Sequence, residues 1–148
     1  NFLNSSHKIT RTIKKSSIKF HDKQIAKDLG KFGIFDNKSL TYEVPEFCLL
    51  ARDFWRGMID GDGSISLKDK KHATLAIVGT FSVVDGFLKF AKQFCDTKAN
   101  PRHISKSNKN TYSTSLSCRN ARLIISELYG GDPVFYLDRK YEKAMSII

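Results

Sequence analysis

Residues 112–119, Tyr-Ser-Thr-Ser-Leu-Ser-Cys-Arg, alternate without a break, and so do residues 64–69, Ser-Ile-Ser-Leu-Lys-Asp. A period of two is the pattern of a strand with one face buried and the other wet. Tyr112, Thr114, Leu116 and Cys118 are expected to turn one way, with Ser113, Ser115, Ser117 and Arg119 turned the other. In the earlier segment Ile65 and Leu67 oppose Ser64, Ser66 and Lys68. Each segment has a neighbour to pair with. The polar turn KDKKH leads to ATLAIVG (73–79), which reads as a strand buried on both faces. PRHISKS, a turn at NKN and YSTSLSCR read as a second hairpin.

Helical spacing fills the gaps between the hairpins. Phe47, Leu50, Phe54, Met58 and Ile59 share a broad face from about Pro45 to Asp60. Ser82 is the expected cap of a helix whose stripe is Val84, Phe87, Leu88, Ala91 and Phe94. ARLIISELY is stopped by Gly130 and Gly131, and LDRKYEKAMSII forms a last helix. From residue 46 the order is helix, hairpin, helix, hairpin, helix, helix. It predicts an α+β fold, with one antiparallel sheet and its helices on one face.

Residues 1–45 carry a shorter pattern. SSIKFHDKQIAKDLGKFGIFDNKS echoes STSLSCRNARLIISELYGGDPVFYLDRK, with a strand, a helix, a glycine stop and then an Asp and a Lys. Asp22 is the expected N-cap, Ile25, Leu29 and Phe32 fall at helical spacing, and Gly33 closes the helix. Lys38 takes the place that Lys140 takes later. Residues 1–45 therefore read as the rear portion of an earlier unit plus a connector, and residues 46–148 as one complete unit.

The open face of the sheet would carry Ser64, Ser66, Lys68, Lys70, Arg102, Ser105, Ser113, Ser115 and Ser117, and no acid. The chain has 25 basic and 15 acidic side chains, a net charge of +10, and the excess is spread along its length. Such a charge favours a polyanion, most simply nucleic acid. Cys48, Cys95 and Cys118 fit neither a zinc spacing nor a disulfide framework, which suggests a reducing, intracellular setting. The four histidines form no metal-binding motif. No apolar run is long enough to cross a bilayer. The N-terminus lacks a secretory signal and an initiator Met, as in a processed chain or a fragment. Abundant Lys, Asn and Ile suggest an AT-rich gene of the kind an organelle or phage carries.

Two acids, Asp60 and Asp62, close the first apolar helix in the sequence DGDG. A calcium hand needs Gly at position six and Glu at position twelve of its loop. Counted from Asp60, those positions hold Ile65 and Lys71, so the hand is excluded. An acid pair for nucleotide-sugar transfer has no other support in the chain.

The whole stretch WRGMIDGDG, Trp55 through Gly63, resembles the LAGLIDADG motif of homing endonucleases and their maturase relatives. The family's continuation is present as Gly63-Ser64-Ile65. Upstream, Leu29, Gly33, Ile34, Lys38, Ser39, Pro45, Phe54, Arg56 and Gly57 are similar to the family's lead-in. IVGT (77–80) and LDRK (137–140) extend the likeness over most of residues 16–148.

The resemblance implies an αββαββα unit with a curved antiparallel sheet, a saddle for DNA, and helices on the opposite face. It implies that two motif helices pack together through Trp55, Gly57, Met58, Asp60 and Gly61, the glycines allowing close approach. Asp62 becomes the ligand of Mg²⁺ or Mn²⁺, sharing it with the Gly61 carbonyl. Asp60 becomes structural, capping its neighbour helix or satisfying nearby backbone. Lys140 becomes the basic residue beside the scissile phosphate, where the residues alone allow a solvated helix lysine. Lys38 would serve the earlier unit, and Thr80 stands where some relatives carry a water-orienting Gln. DNA contacts are expected from Ser66, Lys68, Lys70, Arg102, Ser105, Ser113, Ser115, Ser117 and Arg119. The expected activity is site-specific cleavage of double-stranded DNA. The alternatives are an intron RNA maturase and an inactive DNA-binding protein on the same scaffold. One complete motif requires a second unit, by homodimerisation or from a longer parent chain.

Overall fold

The computed structural model describes residues 10–11, 16–17, 22–35, 38–69, 71–104 and 110–148. Lys70, Ser105 and the side chain of Lys38 lie outside the described residues, as does the strand expected beyond Ser17. The described residues form an α+β fold. A short ribbon, β1 (Thr10–Arg11) against β2 (Ser16–Ser17), precedes α1 (Lys23–Lys31). Then follow α2 (Arg52–Asp62), β3 (Ser64–Lys68), β4 (His72–Gly79), α3 (Phe81–Ala91), β5 (Arg102–His103), β6 (Tyr112–Ser117), α4 (Cys118–Tyr129) and α5 (Asp138–Met145). The larger sheet is antiparallel throughout, in the order β3-β4-β6-β5.

Both hairpins lie where the alternation puts them. Ile65, Ala73, Leu75, Ile77 and Leu116 are buried beneath the sheet. On them pack Trp55 and Ile59 of α2, Phe87 and Phe90 of α3, Ile124, Ile125 and Leu128 of α4, and Ala144 of α5. All four helices therefore cover one face, and the burial of this apolar surface is the main force holding the layers together. β4 corrects one expectation. It is central in the sheet, yet only alternate residues are buried, and Val78 is exposed. Its second face is open because no element of the described residues covers that side.

Three further expectations are corrected. The apolar spacing from Pro45 does not make one helix. Glu46–Cys48 is a single 3₁₀ turn, α2 begins at Arg52, and Phe47 and Leu50 remain exposed. The Trp55 indole N–H donates to the Leu49 carbonyl at 2.8 Å, using an acceptor that a continuous helix would occupy. Cys118 does not extend β6 into the core; it sits at φ 50° and opens α4, exposed. Arg119, one residue on, thus lies on the first turn of α4 and not on the sheet.

Helix α3 is capped by Thr80, not Ser82. The Thr80 hydroxyl accepts from the Val83 N–H at 3.3 Å and donates to the Tyr42 carbonyl at 2.7 Å. Ser82 instead accepts the Val44 N–H at 2.9 Å. The buried Thr80 hydroxyl thus ties the start of α3 to the segment before it. Thr80→Val is expected to lower stability by about 1 kcal/mol. A denaturant midpoint unchanged by the substitution would show that the cap contributes nothing.

Helix α1 behaves differently from the rest. Asp22 caps it as expected, accepting from the Gln24 and Ile25 N–H groups at 2.7 and 3.0 Å. Gly33 follows its end at φ 71°, a left-handed conformation suited to glycine. None of its residues is buried, whereas its echo α4 buries five.

Candidate functional site

The exposed face of the larger sheet is built in rows by the register. Ser64 lies beside Ala76 and Ser115, Ser66 beside Thr74 and Ser117, Lys68 beside His72, and Val78 beside Ser113 and Arg102. Among the described residues this face holds hydroxyls, small apolar groups and cations, and no carboxylate. Ser66, Lys68, Arg102, Ser115 and Ser117 are exposed, and Ser113 is half-buried. Arg119, on α4, lines a cavity of about 430 Å³ with Lys71, Cys118 and Arg122.

At one end of these rows α2 runs into β3 with Gly63 alone between them. That junction needs glycine, because a Cβ there would come 2.7 Å from Ile59 Cα and 2.8 Å from its carbonyl oxygen. Asp62 is the last residue of α2 and is exposed, one residue removed from Ser64, the first residue of the open face. The helix dipole presents its negative end here, so a carboxylate at this position is unfavourable by about 0.3–1 kcal/mol. The ion pairs of the described residues use Asp28, Asp53, Asp85 and Glu127, leaving Asp62 outside them. The same features suit a hard cation, which takes carboxylate and carbonyl oxygens. Among the described residues no three His, Cys, Asp or Glu converge at one point. Asp62 is thus an exposed hard-oxygen donor at this end of the open face.

Lys140, on the first turn of α5, is buried and sends its ammonium to the Gly63 carbonyl. Burial lowers its pKa below the ordinary lysine value, Arg139 and Lys143 push the same way, and Asp60 and Asp62 oppose them. The structure thus brings Lys140 and Asp62 together. The solvated helix lysine is excluded.

Asp60 has two backbone-fixing partners, in line with a structural role. Its Oδ1 accepts the Tyr129 hydroxyl at 2.7 Å, and its Oδ2 accepts the Leu137 N–H at 2.9 Å. Burial and the bond to Asp60 raise the pKa of Tyr129 far above that of an ordinary phenol, so it remains a donor. Arg56, also buried, donates to the Leu128 and Phe135 carbonyls at 3.0 and 2.8 Å. It holds both ends of the loop from Gly130 to Leu137. Neither the partners of Arg56 nor the parts played by Tyr129 and this loop show in the local sequence. The one available signal was a buried tyrosine's need for a hydrogen-bond partner.

The outer side of α2 carries Asp53, Gly57 and Gly61 at helical spacing, all exposed. A Cβ added at Gly57 or Gly61 would meet nothing within 4 Å. Of the expected helix-contact set, Trp55 lies in the core and Met58 is half-buried. Trp55 is fully buried against Phe87 and Phe90, and Met58 packs on the core. Beside the glycines runs a groove of about 940 Å³, closed on its far side by Val134, Phe135, Tyr136 and Leu137. Val134 is 82% exposed and Phe135 62%. Among the described residues no helix is long and apolar enough to cross a membrane. No family model, curated protein or solved structure matches the chain.

Proposed function

We propose that this chain is a homing-endonuclease-like unit that cleaves double-stranded DNA at a specific site with Mg²⁺ or Mn²⁺. The observation that carries the reading is the junction of α2 and β3. It sets an exposed carboxylate, disfavoured by its own helix, at the end of an acid-free sheet face and beside a buried lysine.

A two-stranded ribbon fits the major groove. Lys68 and Arg102 are placed to meet phosphate or guanine, and Ser66, Ser113, Ser115 and Ser117 to meet base edges directly or through water. Short hydroxyls accept more than one partner, so the target is read with some tolerance. Asp62 and the Gly61 carbonyl would hold the cation. When bound, it supplies Lewis acidity toward the phosphate and lowers the pKa of a coordinated water. Lys140, anchored on Gly63, places positive charge beside the phosphate and orders the waters around it. Cutting both strands takes two such acids. The second comes from a second unit packed on the Gly57–Gly61 side of α2, either another copy or part of a longer chain.

The test is selection of linearised plasmids from a library with a randomised duplex insert, incubated with the protein and Mg²⁺. The expected result is cleavage converging on one family of target sequences. Uncut DNA at all metal concentrations would overturn the endonuclease reading. Tight binding of intron RNA in its place would support the maturase.

A further inference from the structure

The contacts that join α2 to α5 lie on either side of the candidate metal ligands. Asp60 accepts the Leu137 N–H, and three residues on, just past the end of α2, the Gly63 carbonyl accepts the Lys140 ammonium. Gly61 and Asp62 sit between these two links. Leu137 is also where α5 begins, since its carbonyl takes the Lys140 and Tyr141 N–H groups at 2.7 and 3.0 Å. Its side chain offers the helix no cap. The start of this eight-residue helix is therefore fixed from outside, by Asp60.

Asp60 is fixed in turn. Tyr129 is fully buried at the end of α4, and its hydroxyl donates to the second carboxylate oxygen. A hydrogen bond to a carboxylate is stronger and shorter than one between neutral groups. With one oxygen held by Tyr129 and the other by Leu137, the carboxylate has a single orientation.

We propose that Tyr129 and Asp60 are positioning residues for Lys140. Tyr129 orients Asp60, Asp60 sets the first turn of α5, and that turn holds the lysine on Gly63 beside Asp62. The geometric part stands by itself, and its catalytic consequence rests on the endonuclease reading.

The test compares Tyr129→Phe and Asp60→Asn with the unaltered full-length chain. Competitive acetylation by acetic anhydride, read by mass spectrometry, reports Lys140 against Lys143, an exposed lysine on the same helix. Lys140 is expected to react about tenfold more slowly than Lys143 in the unaltered chain, and the difference to shrink several-fold in both variants. Leu88→Ala, which weakens the core away from these contacts, is expected to leave Lys140 protected. Unchanged protection in both variants, or equal loss in Leu88→Ala, would overturn the proposal.

A second arm uses a target chosen by library selection. At saturating DNA, Tyr129→Phe is expected to slow single-turnover cleavage about tenfold with Kd unchanged. Lys140→Met should then cost less in the Tyr129→Phe background than in the unaltered chain, so that the two losses fall well short of multiplying. Independent, fully multiplying losses would overturn the positioning role. If the unaltered chain cuts no DNA, the endonuclease reading fails and the acetylation arm alone decides the geometry.

Discussion

Asp62→Asn is expected to abolish DNA cleavage, by on the order of 10³-fold or more, while leaving the protein slightly more stable. The two effects have separate causes. Asparagine keeps the size of the side chain and one oxygen but loses the charge that a hard cation requires. The same loss removes an anion from the negative end of α2, where Asp62 has none of the compensation that Asp60 obtains from Tyr129 and Leu137. Binding to a selected target should persist, because its contacts lie along the sheet. The measurements are single-turnover cleavage in Mg²⁺, DNA affinity in Ca²⁺, and a denaturant midpoint. Full cleavage by the asparagine variant would remove Asp62 from the site and with it the proposed chemistry. The corresponding change at Asp60 should behave in the opposite sense, losing stability, because the amide keeps only one acceptor oxygen and sets an N–H₂ against one of the two donors.

Local pattern made the larger sheet legible. The alternation at 64–68 and 112–117, with a polar turn behind each strand, was enough to define two hairpins and an open face without acids. The role of Asp60 was legible in kind, though its partners were not. What local pattern could not show was any contact made across the chain. Asp60 and Tyr129 are 69 residues apart, and Arg56 and Phe135 are 79 apart. Thr80 and Ser82 are both good caps by composition, serine the better. The choice between them is made by Tyr42 and Val44, each 38 residues away from the hydroxyl it engages. The place of Trp55 was undecided for a related reason: it belongs to the motif stretch, but only the packed structure shows Phe87 and Phe90 against its ring. The start of α2 was misread because Phe47 and Leu50 keep the helical period, and periodicity alone carries no record of the turn that separates them.

Gly57→Leu is expected to leave the fold intact and break self-association by at least about 100-fold, with loss of double-strand cleavage. The glycines of this region fall into two kinds. Gly63 is required by the chain itself, since any Cβ would strike the backbone of Ile59. Gly57 and Gly61 lie within α2 and face open space, where glycine weakens a helix by about 0.5–1 kcal/mol relative to alanine. Nothing within the described chain gains from their lack of a side chain. A second helix packed against them would, because a missing Cβ lets two backbones approach closely. Gly57→Ala and Gly61→Ala should therefore raise the denaturant midpoint, and Gly63→Ala should lower it. Sedimentation equilibrium across a concentration series measures the association, and ends counted on a selected target measure the cutting. If Gly57→Leu assembles and cuts both strands as the unaltered chain does, the second acid reaches the DNA by some surface other than this face of α2.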